Sequence, residues 1–180
     1  SFPQTTITEK ADVSTLTKLR GDGAALPPRP SLRSALFAWL GAFLAISSLA
    51  IVSDMLTVVL VLGSFGASCV LLFGFPDAPF SQPRNLVFGH LLCSFIGLAC
   101  LTLLGPHWSA LGIAVGTAIA LMMLGRIVHP PAGSNPVIVF LTAPGWEFLL
   151  FPTLTGAVAI LLFALVYNNV TRDEAYPKYW

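Results

Sequence analysis

Two histidines lie within or beside apolar stretches, His90 in Gly89-His90 and His129 at the head of His129-Pro130-Pro131-Ala132-Gly133-Ser134-Asn135-Pro136. Imidazole is the side chain whose charge changes near neutral pH. Inside an apolar run it has to meet a polar partner or a wet cavity. A lone histidine bonded to a neighbouring carbonyl is as good a reading as a substrate ligand, but two of them raise the case for function. Prolines 130 and 131 end the preceding helix, because they lack amide donors and clash with the turn before them. Asn135-Pro136 then reads as an N-cap followed by proline at the first helical position, which starts a short helix over residues 136–143. The free amides at its start carry partial positive charge and favour a small anion, while the plainer reading is a tight corner between helices.

Two further stretches carry polar groups into apolar surroundings. Gly63-Ser64-Phe65-Gly66-Ala67-Ser68 places two hydroxyls and two glycines in an apolar run, where small residues four apart allow close helix packing or unwinding beside a pathway. Pro83-Arg84-Asn85 opens the run that carries His90; Arg84 near the surface can snorkel. The candidate substrate-binding residues are Ser64, Phe65, Ser68, Arg84, Asn85, His90, His129, Pro130, Pro131, Gly133, Ser134 and Asn135. Hydroxyls and amides would donate hydrogen bonds, the histidines would add switchable charge, and Arg84 would attract anions at one mouth.

No enzyme constellation competes with them. The sequence has no Gly-x-Ser-x-Gly elbow, no His-Glu-x-x-His, no phosphate-binding glycine loop and no pair of carboxylates inside an apolar run. We therefore expect no enzyme, no cofactor and no catalytic metal. Cys69, Cys93 and Cys100 all lie in apolar runs, and their odd number argues against a disulfide framework. A net charge of +1 without a dense basic patch gives no reason to expect nucleic-acid binding.

The elements that position these residues follow from composition. Of 180 residues, 56% are hydrophobic and 9% charged, against about a quarter charged in soluble domains. The partner of most of this surface is a lipid bilayer. Between residues 34 and 167, the only Asp, Glu, Lys or Arg residues are Asp54, Asp77, Arg84, Arg126 and Glu147, each at the edge of an apolar run. A crossing needs about 20 apolar residues. Residues 34–53, 55–75, 85–104 and 148–167 meet that length and 108–125 comes close, whereas 130–143 is too short and is bracketed by prolines.

The expected fold is thus an all-α membrane protein, a bundle of five transmembrane helices plus a short re-entrant half-helix, with six passes as the alternative. Domains are a polar tail over 1–30, a membrane domain over 31–170 and a polar C-terminal tail over 171–180. Lys and Arg in short loops tend to stay cytoplasmic, which puts the N-terminus inside but does not choose between five and six passes. With five passes the two ends would lie on opposite sides. Ala67-Ser68 before Val70-Leu71-Leu72-Phe73 loosely echoes Gly133-Ser134 before Val137-Ile138-Val139-Phe140, the kind of echo that two inverted halves would leave.

Taken in order, Gly63-Ser64-Phe65-Gly66-Ala67-Ser68, then Gln82-Pro83-Arg84-Asn85 with Gly89-His90, then His129-Pro130-Pro131-Ala132-Gly133-Ser134-Asn135 resemble the HPP family of integral membrane proteins, over about residues 32–170. The family usually follows its asparagine with a small or apolar residue where this chain has Pro136. Members in cyanobacteria and chloroplasts are assigned to nitrite transport. The resemblance therefore implies a small-anion transporter or channel, passive or proton-linked, with a small inorganic anion as partner and nitrite as the favoured substrate. The rival class is a non-transporting scaffold or accessory subunit whose polar tail binds a partner. Five helices are few for an enclosed pathway, so a homo-oligomer is expected, with Gly112 and Gly116 as contact residues, in a bacterial inner membrane.

Overall fold

The computed structural model describes residues 24–57 and 62–180. The helical body is Ser31–Trp180; the unit before it, Ser1–Pro30, contains the polar N-terminal tail read from sequence, of which residues 1–23 lie outside the described residues. All regular structure among the described residues is helical.

Helix α1 (Leu32–Leu56) starts where the Ser31 hydroxyl accepts a hydrogen bond from the Ser34 amide at 3.1 Å, satisfying a donor that has no partner inside the helix. It runs through Asp54 unbroken and stops at Thr57, whose φ of 54° is left-handed. The turn expected at Asp54 is therefore absent, since one aspartate costs an α-helix little whereas a left-handed residue ends it. The second apolar run is consequently no full-length helix. Helix α2 (Gly63–Cys69) continues as a wider π-turn, Val70–Gly74, and the two together rise roughly 18 Å, little more than half of a hydrocarbon core of about 30 Å.

A single 3-10 turn, Pro79–Ser81, leads into α3 (Pro83–Leu104), which has proline in its first turn. Helix α4 (Trp108–Leu124) follows after a corner at Gly105, and its end is marked by Arg126 at φ 56°. The 3-10 turn Pro130–Ser134 feeds α5 (Asn135–Thr142), an eight-residue half-helix that stops at Ala143 with φ 44°, just before Pro144. The last span, Trp146–Thr171, begins with a 3-10 and a π-turn and becomes α6 (Thr155–Thr171). Each short helical segment, Gly63–Gly74 and Asn135–Thr142, lies between two longer helices in the chain. Leu32–Leu56, Pro83–Leu104 and Trp146–Thr171 are long and apolar enough to cross a membrane, and exposed Trp39, Phe88, Leu103 and Leu124 form part of the surface that meets lipid.

The beginning of α1 and the end of α6 share one face. The Tyr167 hydroxyl donates to the Phe37 carbonyl at 2.8 Å, and Arg172 pairs with Asp77, in the α2–α3 corner, at 2.6 Å. A cleft of about 600 Å³ between these elements is lined by Ser31, Arg33, Phe75, Asp77, Thr171 and Arg172 among others. At the opposite face the α3–α4 corner, with His107 and Trp108, meets Phe140 and Leu141 near the end of α5 around a smaller cleft of about 210 Å³. Ends on one face require an even number of traverses, so the six-pass alternative fits this geometry better than five. With six passes half-helix α5 would complete a broken crossing, and with five it would turn back.

Labelling tests this directly. With Cys100 replaced by Ser, cysteines at Ser31 and Trp180 should react with an impermeant maleimide from the same side of the membrane, and one at Trp108 from the other. Reaction of Ser31 and Trp180 positions from opposite sides would restore the odd count.

Candidate functional site

Four of the residues singled out by type, Ser68, His90, His129 and Asn135, converge on one buried hydrogen-bonded cluster, assembled from both half-helices, α3 and the stretch before α5. Ser68, on α2, lies between two imidazoles: its Oγ is 2.9 Å from His90 Nε2 and 2.8 Å from His129 Nε2. His90 projects from α3 roughly 10 Å beyond Pro83 at 1.5 Å per residue. His129 comes from the stretch between α4 and α5. All three side chains are fully buried, as is Asn135 at the start of α5.

The partners fix which nitrogen carries which proton. His129 Nδ1 is 2.7 Å from the Phe80 carbonyl, which can only accept, so Nδ1 is protonated and the neutral ring presents a bare Nε2 to Ser68. Asn135 Nδ2 faces His90 Nδ1 at 3.1 Å, the His90 carbonyl at 3.3 Å and Ser94 Oγ at 2.9 Å. The carbonyl orients the amide with its NH2 toward His90, so His90 Nδ1 accepts and Nε2–H donates to Ser68. The single Ser68 proton has two acceptors in reach, His129 Nε2 and, more distantly, the Ser64 carbonyl at 3.2 Å; the shorter bond to His129 closes the chain.

Hydrogen bonds therefore run in one direction, from Asn135 through His90, Ser68 and His129 to the Phe80 carbonyl. Ser94 extends the network to Thr153 at 3.0 Å. Serine is well suited to the centre, because one hydroxyl both accepts and donates, and such a chain can in principle pass a proton between the imidazoles.

Close backbone approach makes the cluster possible. A Cβ on Gly89 would lie 2.9 Å from His129 Cβ, and one on Gly97 would lie 2.9 Å from Pro136 Cα. Gly89, Cys93 and Gly97, four residues apart, thus form a groove on α3 that receives the segment from Ile127 to Val139. Phe65 seals one side, meeting the His90 ring edge-on with centroids 5.1 Å apart.

The other candidates divide. Asn85 lies at the cluster's edge, donating to the Val128 carbonyl at 2.8 Å. Pro131 is buried and Gly133 half-buried, both shaping the 3-10 turn. Arg84, Pro130 and Ser134 are exposed and outside the cluster; the Ser134 hydroxyl donates to the Pro131 carbonyl. Ser64 is buried but does not join the chain, and its hydroxyl has no partner, like Asn85 Oδ1 and Asn135 Oδ1. Ser94, Thr153 and the Phe80 carbonyl were not anticipated. Ser94 had a usable signal, since it sits one turn from His90 on the same face of α3, whereas a main-chain carbonyl leaves none.

The side chains of the cluster are fully buried, with their donors engaged by one another or by main-chain carbonyls, while the buried Ser64 hydroxyl beside them has no hydrogen-bond partner.

The order of these motifs is that of a known family, whose profile, the HPP transmembrane region, matches residues 27–177. The chain belongs to the HPP transmembrane family. Within it, the chain is similar to two curated transmembrane proteins of Dictyostelium discoideum. One is 37% identical over 86% of this chain and 58% of the relative; the other is 35% identical over 88% of this chain and 55% of the relative. The HPP chain here thus spans somewhat over half the length of these relatives. No solved structure matches it. Both relatives come from Dictyostelium discoideum, so they give no support to a bacterial inner membrane.

Proposed function

We propose that this HPP protein is a transporter or channel for a small monovalent anion, nitrite being the substrate that the family resemblance favours, with passive or proton-linked movement. The observation that carries the reading is the directed Asn135–His90–Ser68–His129 chain, built in a membrane domain from two helices too short to cross it. Ionisable side chains inside membranes are costly and cluster on substrate and proton pathways. Broken helices are where transporters assemble sites near the midplane. Because the cluster's donors are already engaged, the packed arrangement corresponds to a closed form, and admission of an anion replaces internal bonds.

A second reading rests on the same cluster. The same packing would serve a non-transporting scaffold, in which the cluster specifies helix register.

Orientation and assembly belong to the proposal as well. Arg33, Arg84, Arg126, Arg172 and Lys178 all flank spans at the face that holds the start of α1, while Asp54, His107 and Glu147 flank the other. By the positive-inside tendency the first face is cytoplasmic. Gly112 and Gly116 are exposed on α4 with nothing within 4 Å of an added Cβ, which leaves them open to a second copy.

Purified protein in liposomes separates the readings. Nitrite uptake well above that of empty vesicles, tested beside nitrate, formate and chloride, is the expected result. Absence of flux for every anion in the panel would remove the transport reading and leave the scaffold.

A further inference from the structure

The C-terminal residues fold back as a strap across the face where α2 meets α3. Tyr176 is 2% exposed although it lies beyond the last helix. Its hydroxyl donates to the Ser81 carbonyl at 2.8 Å, and its amide donates to Asn169 Oδ1 at 3.1 Å. The Lys178 amide donates to Gln82 Oε1 at 2.8 Å, and the Tyr179 hydroxyl to the Pro79 carbonyl at 3.1 Å. Asp77 is held by Arg172 at 2.6 Å and by Lys178 at 3.2 Å.

These contacts grip the residues on both sides of Phe80. Pro79, Ser81 and Gln82 each bond to the strap, and the Phe80 carbonyl between them takes the His129 Nδ1 proton. The turn that presents this carbonyl is one 3-10 turn of three residues, whose poorer internal hydrogen-bond geometry is supplemented on one side by Ser81 Oγ, donating to the Leu71 and Phe75 carbonyls at 3.1 and 2.7 Å, and by Gln82 Nε2, donating to the Pro76 and Ala78 carbonyls at 3.0 and 2.9 Å, and on the other by the strap. If the carbonyl moves, nothing fixes the proton on Nδ1, and Ser68 can no longer rely on a bare Nε2.

We propose that the C-terminal strap is a positioning element for His129, with the Tyr176 hydroxyl as its anchor, and that by holding the Phe80 carbonyl it keeps the cluster in its closed form. The functional consequence, gating of the site, rests on the transport reading; the positioning does not. Partial burial pushes the Asp77 carboxyl up, and Arg172 and Lys178 outweigh that to hold it below its ordinary value. With the folded value depressed, the pairing contributes above the ordinary carboxylate range and is lost only as pH falls through the lower folded value. The strap is therefore docked at neutral pH, and its exposed pairs weaken with salt instead.

The test is the tautomer of His129 in the full chain in nanodiscs, read from histidine side-chain 15N shifts; the sequence has three histidines, so assignment by single substitution is direct. Wild type should show His129 as a single Nδ1–H tautomer. Tyr176→Phe, which keeps the ring and loses the hydroxyl, and Asp77→Asn, which removes the anchor of Arg172 and Lys178, should each yield a mixture of tautomers. Strap loosening that touched only stability would leave the shifts in place. A single unchanged Nδ1–H signal in both variants overturns the proposal, and the readout stands whether or not the liposomes show anion flux.

Discussion

Ser68→Ala is expected to abolish nitrite flux and to lower thermal stability, because it removes the group that joins the two imidazoles. His90 Nε2–H and His129 Nε2 would both be left unpaired in a site with no exposure. Each buried polar group left without a partner costs about 1–3 kcal/mol, so a loss of about 2 kcal/mol or more is expected in detergent melting. Ser64→Ala provides the contrast. Its hydroxyl is buried without a partner, so deleting it breaks no hydrogen bond and should leave the melting temperature nearly unchanged. If Ser64 is the donor available to an entering anion, the same substitution should still cut nitrite flux severalfold. Flux and stability thus move together at residue 68 and separate at residue 64. Wild-type flux from Ser68→Ala liposomes would remove the cluster from the pathway, and wild-type flux from Ser64→Ala would remove Ser64 from it.

How much of this was visible in the sequence depends on the kind of signal. Apolar run lengths and prolines identify the membrane bundle and the half-helix α5 to within a residue, because proline acts through its own backbone. Ser68, His90, His129 and Asn135 are conspicuous as polar groups in apolar surroundings, and they do meet. Their mode of meeting was not legible. A helix stop at Thr57, with no glycine or proline beside it, left the 55–75 run looking like a full crossing and hid the second half-helix. The acceptor for His129 is a main-chain carbonyl, and the strap that holds it reads as an ordinary polar tail until Tyr176 is seen buried. Two stripes of small residues at four-residue steps, Gly89, Cys93 and Gly97 on one helix and Gly112 and Gly116 on another, read alike as helix-packing faces. Only packing reveals that the first faces protein and the second does not.

That distinction gives the last expected result. A methyl group on Gly97 would lie 2.9 Å from the Cα of Pro136 and 3.3 Å from the Cβ of Val139. The first contact is backbone at the start of a helix, so it cannot be relieved by a rotamer change. Helix α5 would have to shift away from α3, and Asn135, one residue earlier, would stretch its bonds to His90 at 3.1 Å and Ser94 at 2.9 Å. Forcing an extra carbon into a packed interface costs about 1–3 kcal/mol, here added to weakened hydrogen bonds in the cluster. Gly97→Ala should therefore lower the melting temperature by several degrees and reduce flux. At Gly112 the added carbon meets nothing within 4 Å, and alanine is favoured over glycine in a helix by about 0.5–1 kcal/mol. Gly112→Ala should be neutral or mildly stabilising in the monomer. A self-association that uses this stripe would be weakened by Gly112→Leu without loss of monomer stability, which size-exclusion with light scattering can detect. Equal melting of Gly97→Ala and wild type would mean that α3 and α5 do not approach closely enough to build the site, and the cluster geometry would fall with it.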